Sequence, residues 1–252
     1  MLRNRVIPTL LLKNNGLVKT TKFKDPVYVG DPINAVKIFN DKEVDELILL
    51  DITATNENKE INFKKIEEII SEAFMPIGYG GGIKTIKQIE KLFKMGLEKV
   101  IINSAAYSNP NLIKEAVTIF GSQSIVLSVD IRKDFLGNYK LYSNSGTVKQ
   151  NIKVEDHLKR VEDLGAGEIY LNNIDKDGTL TGYDFEFINI FSTLVSVPVI
   201  VAGGAASLED FTKATEAGAD AVSAGAMFVF QGVHRAVLIS YPNYKELEKK
   251  LN

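Results

Sequence analysis

The sequence predicts an α/β fold in which eight parallel strands close into a barrel. Short apolar runs rich in β-branched residues alternate with longer segments whose apolar residues have helical spacing, along nearly the whole chain of 252 residues. Strict alternation of this kind is typical of a parallel sheet, because each strand is followed by a helix that returns the chain. A doubly wound open sheet is the alternative interpretation.

The individual elements follow from these patterns. The predicted strands lie near residues 6–12, 46–52, 77–79, 100–103, 125–130, 168–172, 199–202 and 221–224. The predicted helices lie near residues 33–42, 63–73, 86–94, 112–119, 154–164, 185–191 and 208–216, and a charged run at 245–250 predicts a final helix. Asp31-Pro32 and Asn109-Pro110 fit an N-cap followed by proline at the first helical position.

An internal repeat favours the closed barrel. Residues 44–106 align without a gap with the residues 122 positions later. Identical pairs in this register are Glu46 with Glu168, Ile52 with Ile174, Pro76 with Pro198, Gly81-Gly82 with Gly203-Gly204, Gly96 with Gly218 and Val100 with Val222. The alternative is the recurrent pattern of any βα unit, but so many coincidences indicate two related halves. We therefore predict a single (β/α)8 TIM barrel domain over residues 1–252, built from two half-barrels.

Composition narrows the possible partners. A formal net charge of −2 gives no indication of nucleic-acid binding. The absence of cysteine is compatible with a reducing cytoplasm, where we expect the protein. It also means that this chain cannot supply the thiolate that usually releases ammonia from glutamine, so any glutamine-derived ammonia must come from another polypeptide.

Neither a metal site nor a membrane segment is predicted. His157 and His234 are far apart in sequence and have no neighbouring ligands, so we expect no metal ion, and no cofactor is indicated. The apolar run at 6–12 is too short to span a membrane and is better interpreted as a strand.

Glycine clusters follow the third and seventh predicted strands, as Gly80-Gly81-Gly82 and Gly203-Gly204. Glycine lets backbone N–H groups approach an anion closely at the start of a helix. The fourth and eighth strands end in the small residues Asn103-Ser104 and Gly225-Ala226, and barrels often bind phosphate after their last two strands. Tight turns alone are the alternative, but the duplication favours a ligand with a phosphate at each end.

Several strand ends resemble one known family. Ile174-Asp175-Lys176-Asp177-Gly178-Thr179, followed by Gly182-Tyr183-Asp184, resembles the sixth-strand signature of the cyclase subunit of imidazole glycerol phosphate synthase. Gly80-Gly81-Gly82-Ile83, Asn103-Ser104-Ala105-Ala106, Val129-Asp130 and Leu50-Asp51-Ile52-Thr53 match its other strand ends. The resemblance runs from about Arg5 to Phe228. A sister barrel, the histidine-pathway isomerase, shares much of this pattern.

The resemblance implies a role for each matching position. One phosphate of a long ribonucleotide bisphosphate would bind at Gly82, Asn103 and Ser104, and the other at Asp177, Gly178, Gly204, Gly225 and Ala226. Lys19, on the long first loop, would contact the substrate and help to close the site. Asp130 would be one of two aspartates that perform acid–base chemistry while ammonia adds and the imidazole ring closes. The implied partner is a glutamine amidotransferase subunit, which would form a heterodimer with this lyase-type chain.

The first strand departs from the family pattern at the second aspartate. The family run resembles Cys-Leu-Asp-Val-Lys-Asp-Gly, whereas this chain reads Thr9-Leu10-Leu11-Leu12-Lys13, so Leu11 stands where the carboxylate is expected. Leucine cannot transfer a proton, and a positioned acid–base group typically contributes about 10²–10⁴-fold to a rate. This departure argues against efficient imidazole formation.

One branch of the family, with a first strand of the form Ile-Pro-x-Leu-Leu-Leu-Lys, resembles this chain in segments 23–32 and 234–239 as well. In that branch the barrel and its glutaminase supply ammonia to an amidotransferase that puts acetamidino groups on bacterial surface sugars. The resemblance therefore implies an ammonia-dependent synthase subunit of this branch. The alternatives are a genuine histidine-pathway cyclase and a non-catalytic ammonia conduit.

Four charged residues fall at or just before predicted strand starts, and these are Arg5, Glu46, Lys99 and Glu168. Charges at the inner end of a barrel are costly unless they are paired, and two positive with two negative residues could form a neutral ring. Four solvated surface charges are the alternative, because this face of a barrel usually serves stability. In the family that the chain resembles, matching positions form a gate where ammonia enters from the docked glutaminase.

Overall fold

The computed structural model describes residues 4–251 and contains a closed barrel of eight parallel strands. The strands are β1 (Arg5–Lys13), β2 (Leu47–Asp51), β3 (Ile77–Gly80), β4 (Lys99–Ile102), β5 (Ile125–Lys133), β6 (Glu168–Asn173), β7 (Val199–Ala202) and β8 (Ala221–Ala224). Each strand pairs in parallel with the next, and β8 pairs with β1. The predicted barrel is confirmed, and the pairing of β8 with β1 excludes the open sheet.

Eight helices of at least eight residues surround the barrel within the described range. They are α1 (Pro32–Asp41), α2 (Phe63–Ile70), α3 (Ile86–Lys94), α4 (Pro110–Phe120), α5 (Val154–Asp163), α6 (Phe185–Ser192), α7 (Leu208–Glu216) and α8 (Tyr244–Leu251). Asp31 caps α1 as predicted, since its Oδ1 accepts hydrogen bonds from the backbone N–H groups of Ile33 and Asn34. The prediction for Asn109 was wrong in its mechanism, because its side chain makes no capping bond to α4. None of the helices described is long and apolar enough to cross a membrane.

Three additional segments with short strands extend from the carboxyl ends of the barrel strands. After β1, strands Gly16–Thr21 and Lys24–Gly30 form an antiparallel hairpin that pairs with β1. After β5, the strand Tyr139–Ser143 runs back along the end of β5. After β8, Phe230–Gln231 pairs with Ala236–Val237. The sequence predicted the first of these segments only as a long loop, because its short strands carry no clear alternation.

The two halves have matching local structure at the positions that the sequence repeat aligns. Short helices follow β4 (Ser104–Ser108) and β8 (Ala226–Val229). The residues that precede them, Asn103 and Gly225, have φ and ψ of −113° and −74°, and of −118° and −68°. Backbone agreement of this kind supports the interpretation of the fold as two related half-barrels.

The barrel interior holds its own apolar layer, separate from the larger core between strands and helices. Its members are buried side chains that point inward from the strands, and they are Ile7, Ile48, Ile101, Val126, Tyr170, Ile200, Ala202 and Ala221. This layer lies between the amino ends of the strands and the cavity at their carboxyl ends.

Candidate functional site

A cavity of about 820 Å³ lies at the carboxyl ends of the barrel strands. Its walls are the inward-facing residues of the strand ends together with the first hairpin and the segment that follows β5. Of the residues that the sequence assigned to substrate or catalysis, this cavity brings together Lys19, Gly82, Asn103, Ser104, Asp130, Asp177 and Gly225. Gly178, Gly204 and Ala226 lie outside it.

Asp130 is a buried carboxyl group on the wall of the cavity. It lies on β5 with only 7% of its surface exposed, and Ser128 Oγ donates a hydrogen bond to its Oδ1 at 3.0 Å. Burial raises the pKa of Asp130 to about 7; the nearby Asp177 acts in the same direction, while hydrogen bonds from Ser128 and Asn172 oppose the rise. A carboxyl group with a pKa near neutrality is suited to both giving and taking a proton.

Leu11 lies on the wall of the same cavity, at the end of β1. Its backbone is held between Leu50 of β2 and Val18 of the first hairpin. The structure therefore places an apolar side chain at the position where the sequence analysis expects a second carboxylate. Asp51, the other carboxylate on this side, accepts hydrogen bonds from the N–H groups of Thr53 and Ala54 and thus serves the loop after β2.

The first predicted phosphate group forms one wall of the cavity. Gly82 has a φ of +72°, a conformation that favours glycine, and its N–H donates to Thr55 Oγ1 at 3.2 Å. Asn103 Nδ2 donates to the carbonyl of Ser128, and Ser104 Oγ accepts from the N–H of Asn144 at 3.1 Å. These bonds link the loop after β3 to the loop after β2, and the end of β4 to β5 and the segment that follows it.

The second predicted phosphate group lies in a separate and much smaller space. Asp177, Gly178, Gly204, Gly225 and Ala226 all line a cavity of about 20 Å³, which is room for about one water molecule. The first hairpin packs against one of its walls, because Thr20 Oγ1 donates to Asp177 Oδ2 at 3.1 Å and the N–H of Lys22 donates to the Asp177 carbonyl at 2.9 Å.

Lys19 connects the hairpin to the barrel end. Its side chain is buried, and its Nζ donates to the carbonyl of Thr9 at 2.7 Å. Burial lowers the pKa of Lys19 to about 8, although the attraction of Asp177 opposes this shift. Any side chain at position 225 would collide with the Lys19 amino group, so glycine is required at Gly225 for this approach.

At the opposite end of the barrel, the structure brings the four predicted charges together. Arg5 contacts Glu46 at 2.6 Å and Glu168 at 2.5 Å, while Lys99 contacts the same two carboxylates at 2.9 and 2.8 Å. We call these four residues the charged ring. Burial opposes the charge of Arg5, but Glu168 and Glu46 outweigh it and keep the pKa of Arg5 above its ordinary value.

Several polar residues of the site were missed by the sequence predictions. Ser128, Tyr170 and Asn172 line the cavity from β5 and β6. The alternation of side chains along a strand could have identified them, because they share a face with Asp130 or Glu168. Tyr107 also lines the cavity, but it comes from the short helix after β4, and no pattern in the sequence indicated its direction.

Comparison with known proteins agrees with this architecture. A family model described as "Histidine biosynthesis protein" matches residues 5–234. The "Putative imidazole glycerol phosphate synthase subunit hisF2" of Pseudomonas aeruginosa is 52% identical, with 98% of this chain and 99% of the relative covered. The "Putative imidazole glycerol phosphate synthase subunit HisF" of Leptospira interrogans is 46% identical, with 98% of each covered.

A third relative is more distant. The "Imidazole glycerol phosphate synthase subunit HisF" of Alkaliphilus metalliredigens is 38% identical over 92% of this chain and 93% of its own length. The family model and these relatives span nearly all of the barrel, and they confirm the family resemblance of the strand ends. The chain therefore belongs to the histidine biosynthesis protein family and is a cyclase-subunit-like barrel of the imidazole glycerol phosphate synthase type.

Proposed function

We propose that this protein is an ammonia-dependent synthase subunit that receives ammonia through the barrel from a glutamine amidotransferase and serves the acetamidino modification of surface sugars. The observation that carries the proposal is Leu11, which lines the cavity that also contains Asp130. The cavity retains one acid–base carboxyl group and lacks the second one that imidazole formation is expected to use. The charged ring at the other end of the barrel is complete.

A phosphorylated substrate is supported by the first phosphate wall. Gly82, Asn103 and Ser104 border a cavity large enough for a small-molecule substrate. A buried amino group from Lys19 lies on the same cavity, and it carries charge below a pH of about 8 because its pKa is about 8. Asp130 would then handle the protons that ammonia loses as it adds to the substrate.

The ammonia source is supported by the charged ring and by the lack of cysteine. The ring has two positive and two negative members, so it is formally neutral at the mouth of the barrel interior. A glutaminase docked at this end would deliver ammonia at the ring. Rearrangement of its four ion pairs would then open a path toward Asp130.

A non-catalytic conduit is the second candidate function. Leu11 favours it, and so does the second phosphate space of about 20 Å³, which is too small for a phosphate in this conformation. In that case the barrel would stimulate the glutaminase and pass ammonia to a sugar amidotransferase. A genuine histidine-pathway cyclase is the third candidate, as the name of the Alkaliphilus relative indicates for that protein.

A steady-state assay separates these candidates. The purified chain is given ammonium chloride and the histidine-pathway ribonucleotide, and Asp130→Asn, Leu11→Asp and Leu11→Asn are compared with it. We expect little imidazole formation by the unmodified chain and an increase with Leu11→Asp, by up to about 10²–10⁴-fold if the restored carboxyl group is well positioned. Leu11→Asn has a similar shape without the acid–base group and should give no increase.

Two results would contradict the proposal. Fast imidazole formation by the unmodified chain, lost in Asp130→Asn, would make it a histidine-pathway cyclase. The chain is also mixed with its glutaminase, and the rate of glutamine hydrolysis is measured with and without it. If the chain does not increase the rate of glutamine hydrolysis, the proposed supply of ammonia through the barrel is contradicted. Stimulation together with ammonia transfer to the sugar that survives Asp130→Asn would select the conduit.

A further inference from the structure

The inner face of β6 carries a polar group at each level of the barrel. Glu168, Tyr170 and Asn172 alternate with outward residues and therefore point inward. Glu168 belongs to the charged ring, Tyr170 lies in the interior layer, and Asn172 lines the cavity. Successive members are about 6–7 Å apart along the strand, since each residue advances the chain by about 3.3 Å.

The other strands give the middle of the barrel a mainly apolar surface. At the level of Tyr170 the inward residues include Ile7, Ile48, Ile101 and Ile200. The polar atoms near this level form a triangle, in which Tyr170 Oη lies 3.1 Å from both Thr9 Oγ1 and Ser223 Oγ. A charged ammonium ion would be costly to move through such a layer, whereas neutral ammonia could pass it by hydrogen bonding to these hydroxyl groups.

Asn172, the last polar residue on this face, has an unused acceptor. It is 6% exposed, its amide donates to Asp130, and its Oδ1 is buried without a hydrogen-bond partner among the described residues. Most buried polar atoms in proteins have a partner, so an orphaned acceptor on a cavity wall points to a ligand that donates a hydrogen bond. The carboxyl group of Asp130 lies beside it.

We propose that Asn172 Oδ1 and the carboxylate of Asp130 together hold ammonia where the inner face of β6 opens into the cavity. Ammonia would donate one N–H to each acceptor, and its lone pair would then face the substrate. The pair of acceptors selects for small molecules with several N–H groups, and it positions ammonia next to the group that afterwards takes its proton. This inference rests on the proposed ammonia-dependent function.

The test measures the binding of ammonia by the purified chain alone, in a buffer alkaline enough that much of the added ammonium is present as neutral ammonia. Aspartate is labelled with ¹³C at Cγ, and the Asp130 signal is assigned by its absence in Asp130→Asn. The signal is followed during titration with ammonium chloride, and with tetramethylammonium chloride at the same ionic strength. We expect a saturable change with ammonium and none with tetramethylammonium, which has no N–H group to donate.

Two variants separate the acceptor from a general effect on Asp130. Asn172→Leu removes the acceptor and one hydrogen bond to Asp130, and it should weaken the binding of ammonia by about three- to tenfold, as expected for the loss of one hydrogen bond between neutral groups. Ser128→Ala also removes a hydrogen bond to Asp130 but leaves Asn172 Oδ1 in place, so it measures the effect that acts through Asp130 alone, and its loss of affinity should be clearly smaller than that of Asn172→Leu. If Asn172→Leu does not fold, Asn172→Thr, which keeps an acceptor oxygen on a residue suited to strands, should retain measurable binding.

The inference fails if Asn172→Leu binds ammonia as well as the unmodified chain, or if tetramethylammonium produces the same change. Neither result depends on a glutaminase or on turnover. Failure of the proposed function would instead appear as a lack of glutaminase stimulation by the unmodified chain, so the two failures are distinguishable.

Discussion

At the scale of single residues, burial shifts the pKa values of the carboxyl group and of the amino group in the cavity in opposite directions. Asp130 and Lys19 are both at most 7% exposed, and burial raises the pKa of Asp130 to about 7 and lowers the pKa of Lys19 to about 8. Burial disfavours the charged form in each case. Near neutral pH both groups can therefore exchange protons with a bound ligand.

His157 shows the same effect outside the proposed chemistry. Its ring is fully buried on α5 and stacks on Tyr107 with the ring centres 4.2 Å apart. Its two ring nitrogens have no hydrogen-bond partner among the described residues. Burial, and to a lesser degree Arg160, lowers the pKa of His157 to about 4. The imidazole is thus neutral in the folded protein at pH 7.

This shift predicts an acid-dependent loss of stability. A histidine in the unfolded chain has a pKa of about 6.5. Between this pKa and that of folded His157, the unfolded chain binds a proton at this residue and the folded protein does not. The stability present above pH 6.5 is lost as pH falls toward 4, and the loss from this residue should reach about 2 kcal/mol at pH 5. Urea unfolding at pH 7.5 and pH 5 should show this difference between the unmodified chain and His157→Phe, which keeps the stacked ring. Other groups, Asp130 included, are common to both proteins. Equal pH dependence would contradict the assignment.

At the scale of elements, the duplicated halves share a helix start. Thr85 and Gln88 form a capping box at α3, and Ser207 and Asp210 form the same box at α7, 122 positions later. The N-cap hydroxyl accepts from the backbone N–H three residues on, at 3.3 Å in both cases. Each box satisfies two N–H groups that the helix itself leaves unpaired.

We expect Thr85→Ala and Ser207→Ala each to lower the free energy of unfolding by about 1 kcal/mol. The two caps are in different halves, so the double variant should lose the sum of the two. Thr118→Ala is the matched control, because its hydroxyl donates to the Lys114 carbonyl within α4 and caps nothing; its loss should be close to zero. Urea denaturation measures all four. If either variant lowers the free energy of unfolding by less than about 0.3 kcal/mol, water replaces the capping hydrogen bond and the prediction is contradicted.

Strand positions were predictable from sequence because the apolar runs are short and well separated. β7 and β8 begin and end at the predicted residues, whereas β5 continues to Lys133 because the strand Tyr139–Ser143 pairs with its end. That pairing is a long-range contact that local spacing does not encode. For the same reason the sequence predicted that Gly204 and Gly225 lie near each other, but it did not predict that the first hairpin packs against Asp177 beside them.

At the scale of the whole molecule, the charged ring joins strands from both halves. Lys99 and Glu46 belong to the first half and Glu168 to the second, and Arg5 of β1 contacts both carboxylates. Glu46 is almost fully buried, and its Oε1 has no hydrogen-bond partner among the described residues. Removal of Arg5 or Lys99 would therefore leave the negative charge of Glu46 poorly compensated.

A double-mutant cycle on Lys99→Met and Glu46→Met tests this coupling. We expect Lys99→Met to destabilise the protein by on the order of 2 kcal/mol, because breaking a buried ion pair strands one charge. The double variant should be less destabilised than the sum of the single variants by about 0.5–3 kcal/mol. The exposed pair of Lys94 with Glu90 serves as the control and should show coupling below about 0.5 kcal/mol. Additive losses in the ring would mean that the four charges act independently.

The equivalent positions Asn103 and Gly225 have nearly the same backbone angles, but different groups fill the space beside them. One half keeps an amide side chain there, and the other leaves the space to an amino group that arrives from a different strand. An elongated ligand with two similar ends would therefore meet an amide side chain at one end and the neighbouring charged groups of Lys19 and Asp177 at the other. Because the backbone is pseudo-symmetric, we expect this difference in side chains to decide the direction in which such a ligand lies across the barrel.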